Sequence, residues 1–210
     1  MKVSPSILSM DFSNWEKEIE RINKTDCEFI HLDVMDGKFV SNVTFDENFI
    51  KKIKSDKIFD THLMIENPLK QLHKYIPYTN YLTFHYEAER REDILNYLKI
   101  RKEDCLIGIS IKPNTEVSVL DELLPYLDLV LVMSVEPGKG GQKFMMNAVE
   151  KIKYLKEQKD KFNYKYLIEV DGGINEETKN LVKGVGCEVV VAGSFVFKSD
   201  DYQNAISRVR

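Results

Sequence analysis

The sequence predicts an α/β fold, a single-domain (β/α)8 barrel over residues 1–210, on three observations. Short apolar runs recur eight times, amphipathic stretches separate them, and no linker or low-complexity tract breaks the rhythm. Parallel strands are buried on both faces, so they read as continuous apolar runs, and each needs a crossover to reach the next. Eight units of about 26 residues lie close to the lower size limit of such a barrel. An open doubly wound sheet is the competing arrangement. Against it, the first run is followed by no G-x-G-x-x-G turn.

Val3 to Leu8 is the first run, and the connection after it places Phe12, Trp15, Ile19 and Ile22 on one helical face, with Ser13 as the expected N-cap. Phe29 to Val34, Ile58 to Met64, Tyr81 to His85 and Leu106 to Ile111 are the next four strands. Ile94–Leu98 carries a helical pattern between the last two of these, and Val117–Leu124 carries one before the sixth strand, Leu129 to Met133. Val149–Leu155 leads to the seventh, Tyr166 to Val170. Thr178–Val182, with Asn175 as its cap, leads to the eighth, Val189 to Ala192.

Composition narrows the partners. Lys and Arg number 30 against 34 Asp and Glu, a net charge of −4. Nucleic-acid and anionic-membrane binders need a concentrated basic surplus, so neither partner is expected. No apolar run approaches the ~18 residues of a membrane span. The start, Met1-Lys2-Val3-Ser4-Pro5, lacks the apolar stretch and cleavage site of a signal peptide. Cys27, Cys105 and Cys187 are odd in number and outside any CxxC spacing, which suits reduced, half-buried thiols in a cytoplasmic protein.

Strand alternation then exposes an anomaly. Phe29, His31 and Asp33 share one face of the second strand, leaving Ile30, Leu32 and Val34 for the helices. His62 and Met64 share a face of the third strand, Thr83 and His85 of the fourth, Glu169 and Asp171 of the seventh. Three of the four histidines thus end apolar strands; His73, on a helix-like stretch, is expected at the surface. Any one such residue reads as a hydrogen-bonded structural group. Several together cost kcal/mol each unless they pair with one another or hold a metal. Strand C-termini converge at a barrel's mouth, where catalysis is usual.

His31, Asp33, His62 and Asp171 form a two-His, two-carboxylate set suited to Zn(II), Fe(II), Mn(II) or Co(II). Carboxylates from strands two and seven could also remove a proton on one face of a substrate and return one on the other. Glycines cluster after the last three strands, at Gly138, Gly140 and Gly141, at Gly172 and Gly173, and at Gly193 before Ser194. A single pair of glycines reads as a plain turn. Three such loops in succession read as a phosphate site, with Gly138–Gly141 as a flap. Met35, Met64 and Met133, at or just past strand ends, read as core filling or as an apolar lining of the site.

His31-Leu32-Asp33-Val34-Met35-Asp36-Gly37, His62-Leu63-Met64, Leu131 to Gly138 and Ile168-Glu169-Val170-Asp171-Gly172-Gly173-Ile174 occur in that order. With them, the chain strongly resembles the ribulose-phosphate 3-epimerase family from Ser4 to Ser194. The resemblance implies a pentose-phosphate-pathway isomerase that interconverts D-ribulose 5-phosphate and D-xylulose 5-phosphate through a metal-stabilised cis-enediolate. It implies one divalent metal per subunit, foremost Fe(II) or Zn(II), on His31, Asp33, His62 and Asp171, with Asp33 and Asp171 as the acid/base pair. Substrate contacts would come from Ser6, His62, Met35, Met64 and Met133, from Gly138, Lys139, Gly140 and Gly141 of the flap, and from Gly172, Gly173, Gly193 and Ser194 on the phosphate side. The expected partners are a small sugar phosphate and further copies of the chain in a homo-oligomer.

Two stretches depart from the family pattern. Lys139 stands where an aromatic residue is usual between flap glycines, and Lys38-Phe39-Val40-Ser41-Asn42 replaces a segment that usually ends Pro-Asn. Asp36 is expected to shape its loop. A six-carbon substrate such as allulose 6-phosphate would need the same metal and aspartates. A related barrel family that decarboxylates or condenses sugar phosphates carries Asp-x-Lys-x-x-Asp, whereas Met35 stands two residues after Asp33. A silent sugar-phosphate-binding barrel would lack one of the two carboxylates, and both are present.

Overall fold

The computed structural model describes residues 1–102 and 104–210. Its eight strands are β1 (Lys2–Ser4), β2 (Phe29–Met35), β3 (Ile58–Met64), β4 (Tyr81–His85), β5 (Leu106–Ile111), β6 (Leu129–Met133), β7 (Leu167–Asp171) and β8 (Val189–Val191). They pair in parallel in the order β1-β8-β7-β6-β5-β4-β3-β2. Just past β1 the ring closes, because the Pro5 carbonyl accepts from the His31 N–H at 3.0 Å and Ser6 bridges His31. A (β/α)8 barrel results.

The helices among the described residues are α1 (Trp15–Asn23), α2 (Glu47–Ile50), α3 (Leu72–Tyr75), α4 (Arg91–Ile100), α5 (Asn147–Phe162), α6 (Thr178–Lys183), α7 (Ser194–Phe197) and α8 (Tyr202–Val209). Outward strand residues such as Ile30, Leu32, Ile109, Val130 and Val170 join one core with Ile19, Ile94, Leu98, Ile152, Leu155, Val182 and Ile206 of the helices. Period-2 strands and period-3.6 helices meet on that layer, which removes their apolar faces from water.

Inside the ring the filling is unusual. Leu129, Leu131, Met133 and Val135 form a small separate cluster with Tyr81 and Leu167. Elsewhere the interior is polar: Ser4, His31, Asp60, His62, Thr83, His85, Ser110 and Glu169 have no exposed surface. Gly108 belongs to this layer, since a Cβ there would stand 2.3 Å from Thr83 Oγ1.

Three expectations are corrected. Ser13 does not cap α1. Its N–H and hydroxyl both donate to Asp11 Oδ1, and Asp11 starts a 3-10 turn at Phe12–Asn14 ahead of the helix. Val117–Leu124 is no α-helix but two 3-10 segments, Val117–Leu120 and Leu124–Tyr126. Pro125 lacks an N–H and disfavours helical geometry at the residue before it, so a regular helix cannot propagate through that end. Cys27, Cys105 and Cys187 are buried rather than half-buried. Asn175 does cap its helix, accepting from the N–H groups of Glu177 and Thr178, and His73 is exposed.

Candidate active site

β2 and β3 run side by side with Asp33 paired to His62 and His31 to Asp60, so alternation aims all four side chains inward. β7 approaches from the far side, with β1 and β8 intervening. Its last residue, Asp171, is fixed by Ser134, whose N–H and hydroxyl both donate to the Asp171 carbonyl at 2.8 Å. One ligand atom each from His31, Asp33, His62 and Asp171 falls within 4.8 Å of every other. The spacing of residues 31, 33, 62 and 171 thus becomes a single cluster at the strand C-termini.

Asp33 accepts from Ser6 Oγ at 2.6 Å through Oδ2, while its Oδ1 lies 3.3 Å from both His31 Nε2 and His62 Nδ1. Burial alone would raise its carboxyl, but the charge of the adjacent His31 outweighs that and holds it well below the usual carboxylate range. Asp171 is different. Burial pushes it up to about 7, and the Asp33 charge adds to the effect. Burial likewise opposes charge on His31, yet Asp60 and Asp33 prevail and raise it well above its ordinary value. Burial lowers His62 and takes His85 down to about 4.

A divalent cation fits this set on the structure's own terms. His31 Nε2 is buried, finds no hydrogen-bond partner among the described residues and faces a carboxylate oxygen. Its Nδ1 meets Asp60 Oδ2 at 2.6 Å, which turns the Nε2 lone pair toward the cluster. Two imidazoles and two carboxylates are a donor set for Zn(II), Fe(II), Mn(II) or Co(II) alike.

Above the cluster opens one cavity. Ser6, Asp33, Met35, Met64, Met133, Gly138, Lys139, Gly140, Gly141, Asp171, Gly172, Gly173, Gly193 and Ser194 all line it. His31 and His62 have no exposed surface and lie beneath its floor. Gly172 has φ +123°, and a Cβ there would stand 2.6 Å from Val135 Cγ2, so only glycine suits the turn after β7. The loop from Gly138 to Gly141 is tied at its base: Asn42 Nδ2 donates to the Gly138 carbonyl at 2.6 Å and Gln142 Nε2 to that of Glu136 at 2.6 Å.

Sequence reasoning missed several supports. Asp60 also accepts from Ser4 Oγ at 3.1 Å; its place two residues before His62, on the same strand face, was the available signal. Ser9 and Gln142 also line the cavity and Asn42 holds its flap, all brought there by loop geometry that nothing in their spacing marks. Glu169, singled out with Asp171, lies deeper: neither carboxylate oxygen finds a hydrogen-bond partner among the described residues, and burial beside Asp60 raises it well above the usual range. Asp36 shapes its loop as expected, accepting from the N–H groups of Lys38, Phe39 and Glu66.

Comparison with known proteins gives a consistent result. The family model described as the ribulose-phosphate 3 epimerase family matches residues 2–197. A Bacillus subtilis protein named ribulose-phosphate 3-epimerase is 40% identical over 219 residues, covering 100% of this chain and 98% of that one. The Schizosaccharomyces pombe protein of the same name is 37% identical over 216 residues, covering 100% and 92%. Among solved structures, KGPDC from Streptococcus mutans in complex with D-R5P superposes with TM-score 0.72 at 12% identity over 99% of this chain and 94% of that one. A 3-hexulose-6-phosphate synthase gives 0.64 at 17% over 100% and 98%. At such identities these two structures speak for the barrel alone.

Proposed function

The chain belongs to the ribulose-phosphate 3-epimerase family, and from that premise we propose that it interconverts D-ribulose 5-phosphate and D-xylulose 5-phosphate by moving protons at carbon 3 between two aspartates. The observation that carries this reading is the convergence of Asp33 and Asp171, from well-separated strands, on one four-residue cluster under one cavity. A divalent cation on His31, Asp33, His62 and Asp171, when bound, supplies positive charge that polarises the substrate carbonyl and offsets charge on the enediolate.

The chain's own groups do the rest. Asp33, oriented by the Ser6 hydroxyl, takes or returns the carbon 3 proton on one face, and Asp171 serves the other face, the two exchanging roles with direction. Met35, Met64 and Met133 line the cavity beside these carboxylates, and an apolar lining strengthens electrostatic interactions there. Backbone N–H groups around Gly172, Gly173, Gly193 and Ser194 receive the phosphate. The Gly138–Gly141 segment, with Lys139 exposed on it, covers the substrate. The same reading takes residues 1–210 as one catalytic domain, in a cytoplasmic homo-oligomer. No helix among the described residues is long and apolar enough to cross a membrane.

The test pairs elemental analysis of purified protein with turnover of D-ribulose 5-phosphate and allulose 6-phosphate side by side. Stoichiometric divalent metal and a clear preference for the pentose are expected. A preference for the hexose would move the substrate assignment, and no turnover of either would overturn the reading.

A further inference from the structure

The two histidines of the cluster present different ring nitrogens to it. His31 offers Nε2, with Nδ1 held by Asp60, whereas His62 offers Nδ1. An imidazole binds a cation only through a nitrogen that carries no proton, so something must keep the His62 proton on Nε2. Among the described residues no carboxylate contacts that nitrogen. Its neighbours are His85 Nε2 at 3.0 Å and Ser110 Oγ at 3.3 Å.

From these contacts we infer that Glu87 and His85 form a relay that fixes the proton of His62 on Nε2 and so opens Nδ1 to the cation. The inference rests on the proposed metal role of His62. The order of protons is set inward from a backbone group. Glu87 Oε1 accepts from the Lys112 backbone N–H at 2.8 Å and also from the Thr115 hydroxyl. A backbone N–H can only donate, so Oε1 is an acceptor. Glu87 Oε2, 3.1 Å from His85 Nδ1, is the carboxylate's other acceptor, and His85 Nδ1 must carry a proton to meet it. Neutral His85 then has a bare Nε2. Two ring nitrogens 3.0 Å apart need one proton between them, and only His62 Nε2 is left to supply it. The Ser110 oxygen can share the same N–H. His62 Nδ1 is thereby left bare for the cation; Asp33 Oδ1, 3.3 Å away, is the acceptor that competes with His85 for the His62 proton, and the shorter 3.0 Å contact to His85 prevails.

The inner end of the relay is enclosed, and only Glu87 at its outer end is partly exposed. His62, His85 and Ser110 have no exposed surface, and the Phe39 ring lies 4.8 Å from that of His85. Lys112 Nζ lies 4.2 Å from the Phe39 ring centre. Water therefore has little room to swap donors for acceptors along the chain. A carboxylate is required at its outer end. Glutamine could turn its carbonyl to Lys112 or to His85, but not to both.

Three variants and two readouts test this. Glu87→Gln and His85→Phe break the relay, whereas His85→Gln keeps it, since its carbonyl can accept from His62 and its NH2 can donate to Glu87. In metal-free protein with 15N-labelled histidine, the long-range 1H–15N spectrum should show His62 protonated on Nε2 in the wild type and in His85→Gln. Zn(II) affinity, measured by chelator competition, should fall about 10- to 100-fold in Glu87→Gln and His85→Phe, as for other groups that orient metal ligands. His85→Gln should stay within about threefold of wild type by the same scale. A merely structural role would shift melting temperatures without this pattern, and if His85→Phe fails to fold, Glu87→Gln carries the test. Wild-type protein protonated on His62 Nδ1, or undiminished affinity in Glu87→Gln, would overturn the relay while leaving the metal site standing. Wild-type protein that binds no divalent metal would instead overturn the reading beneath it.

Discussion

The barrel interior has two walls of contrasting chemistry. On the β1–β4 side, Ser4, His31, Asp60, His62, Thr83 and His85 turn inward, linked through Ser4–Asp60–His31 and His62–His85 contacts. On the β6–β8 side the inward residues are Leu129, Leu131, Met133, Leu167, Val189 and Val191, interrupted only by Glu169 and Asp171. The same residue type therefore meets opposite surroundings at one mouth. Asp33 on the polar wall stays charged beside His31, with the Ser6 hydroxyl donating to it, whereas Asp171 on the apolar wall is pushed up to about 7. Charge on Asp33 is favoured by the protein's own groups, and charge on Asp171 would be favoured by the proposed cation.

The largest expected effect comes from removing either carboxylate. Asp33→Asn and Asp171→Asn should each lower kcat by at least ~10²–10⁴-fold, the usual contribution of general acid–base catalysis, with far-UV circular dichroism unchanged. Next comes metal removal. Chelation should bring turnover to background, and Fe(II), Zn(II), Mn(II) or Co(II) should restore it; full activity in metal-free protein would break the dependence of the apolar wall on a cation.

The contrast between the walls sharpens with pH. Asp171 has a folded value of about 7 against a reference of 3.8. Its neutral form therefore stabilises the metal-free protein at low pH, and that contribution is lost as pH rises through about 7. Asp171→Asn keeps a neutral side chain at every pH. Metal-free Asp171→Asn should melt above wild type at pH 8, by a gap that closes as the pH falls toward the reference value, in paired melts across that range. Metal affinity of the wild type should rise through the same window, because binding displaces the proton.

Two smaller effects concern the glycine rim. Gly172→Ala places a Cβ at φ +123° against Val135. Such strain costs about 1–3 kcal/mol, and Tm should fall by about 2–4 °C for each kcal/mol. Lys139→Ala removes one exposed charge from the flap. An exposed ionic contact is worth about 0.2–1 kcal/mol, so KM should rise no more than about fivefold and that rise should shrink with added salt.

How much of this was legible depends on which interaction decides each residue. Strand alternation made His31, Asp33, His62 and Asp171 conspicuous, because an ionisable side chain on the inner face of an apolar strand contradicts its surroundings. The apolar runs also gave most strand limits to within a residue. The first strand is shorter than its run, since Ile7–Ser9 folds as a 3-10 turn capped by Ser6. Pro125 stood in plain view beside the helical pattern of Val117–Leu124, and its steric veto prevails over periodicity there. Glu87 and Asn42 were opaque for a different reason. Each takes its role from a backbone group far along the chain, the Lys112 N–H and the Gly138 carbonyl. Such pairings exist only once the barrel has closed.

The claim that two aspartates act from opposite faces is tested most directly by running the reaction in D2O and reading carbon 3 by NMR at low conversion. Two opposed carboxylates predict xylulose 5-phosphate carrying deuterium at carbon 3 while the unreacted ribulose 5-phosphate keeps its protium. Product that retains the original hydrogen would mean that one group carries it from face to face, and would contradict the account.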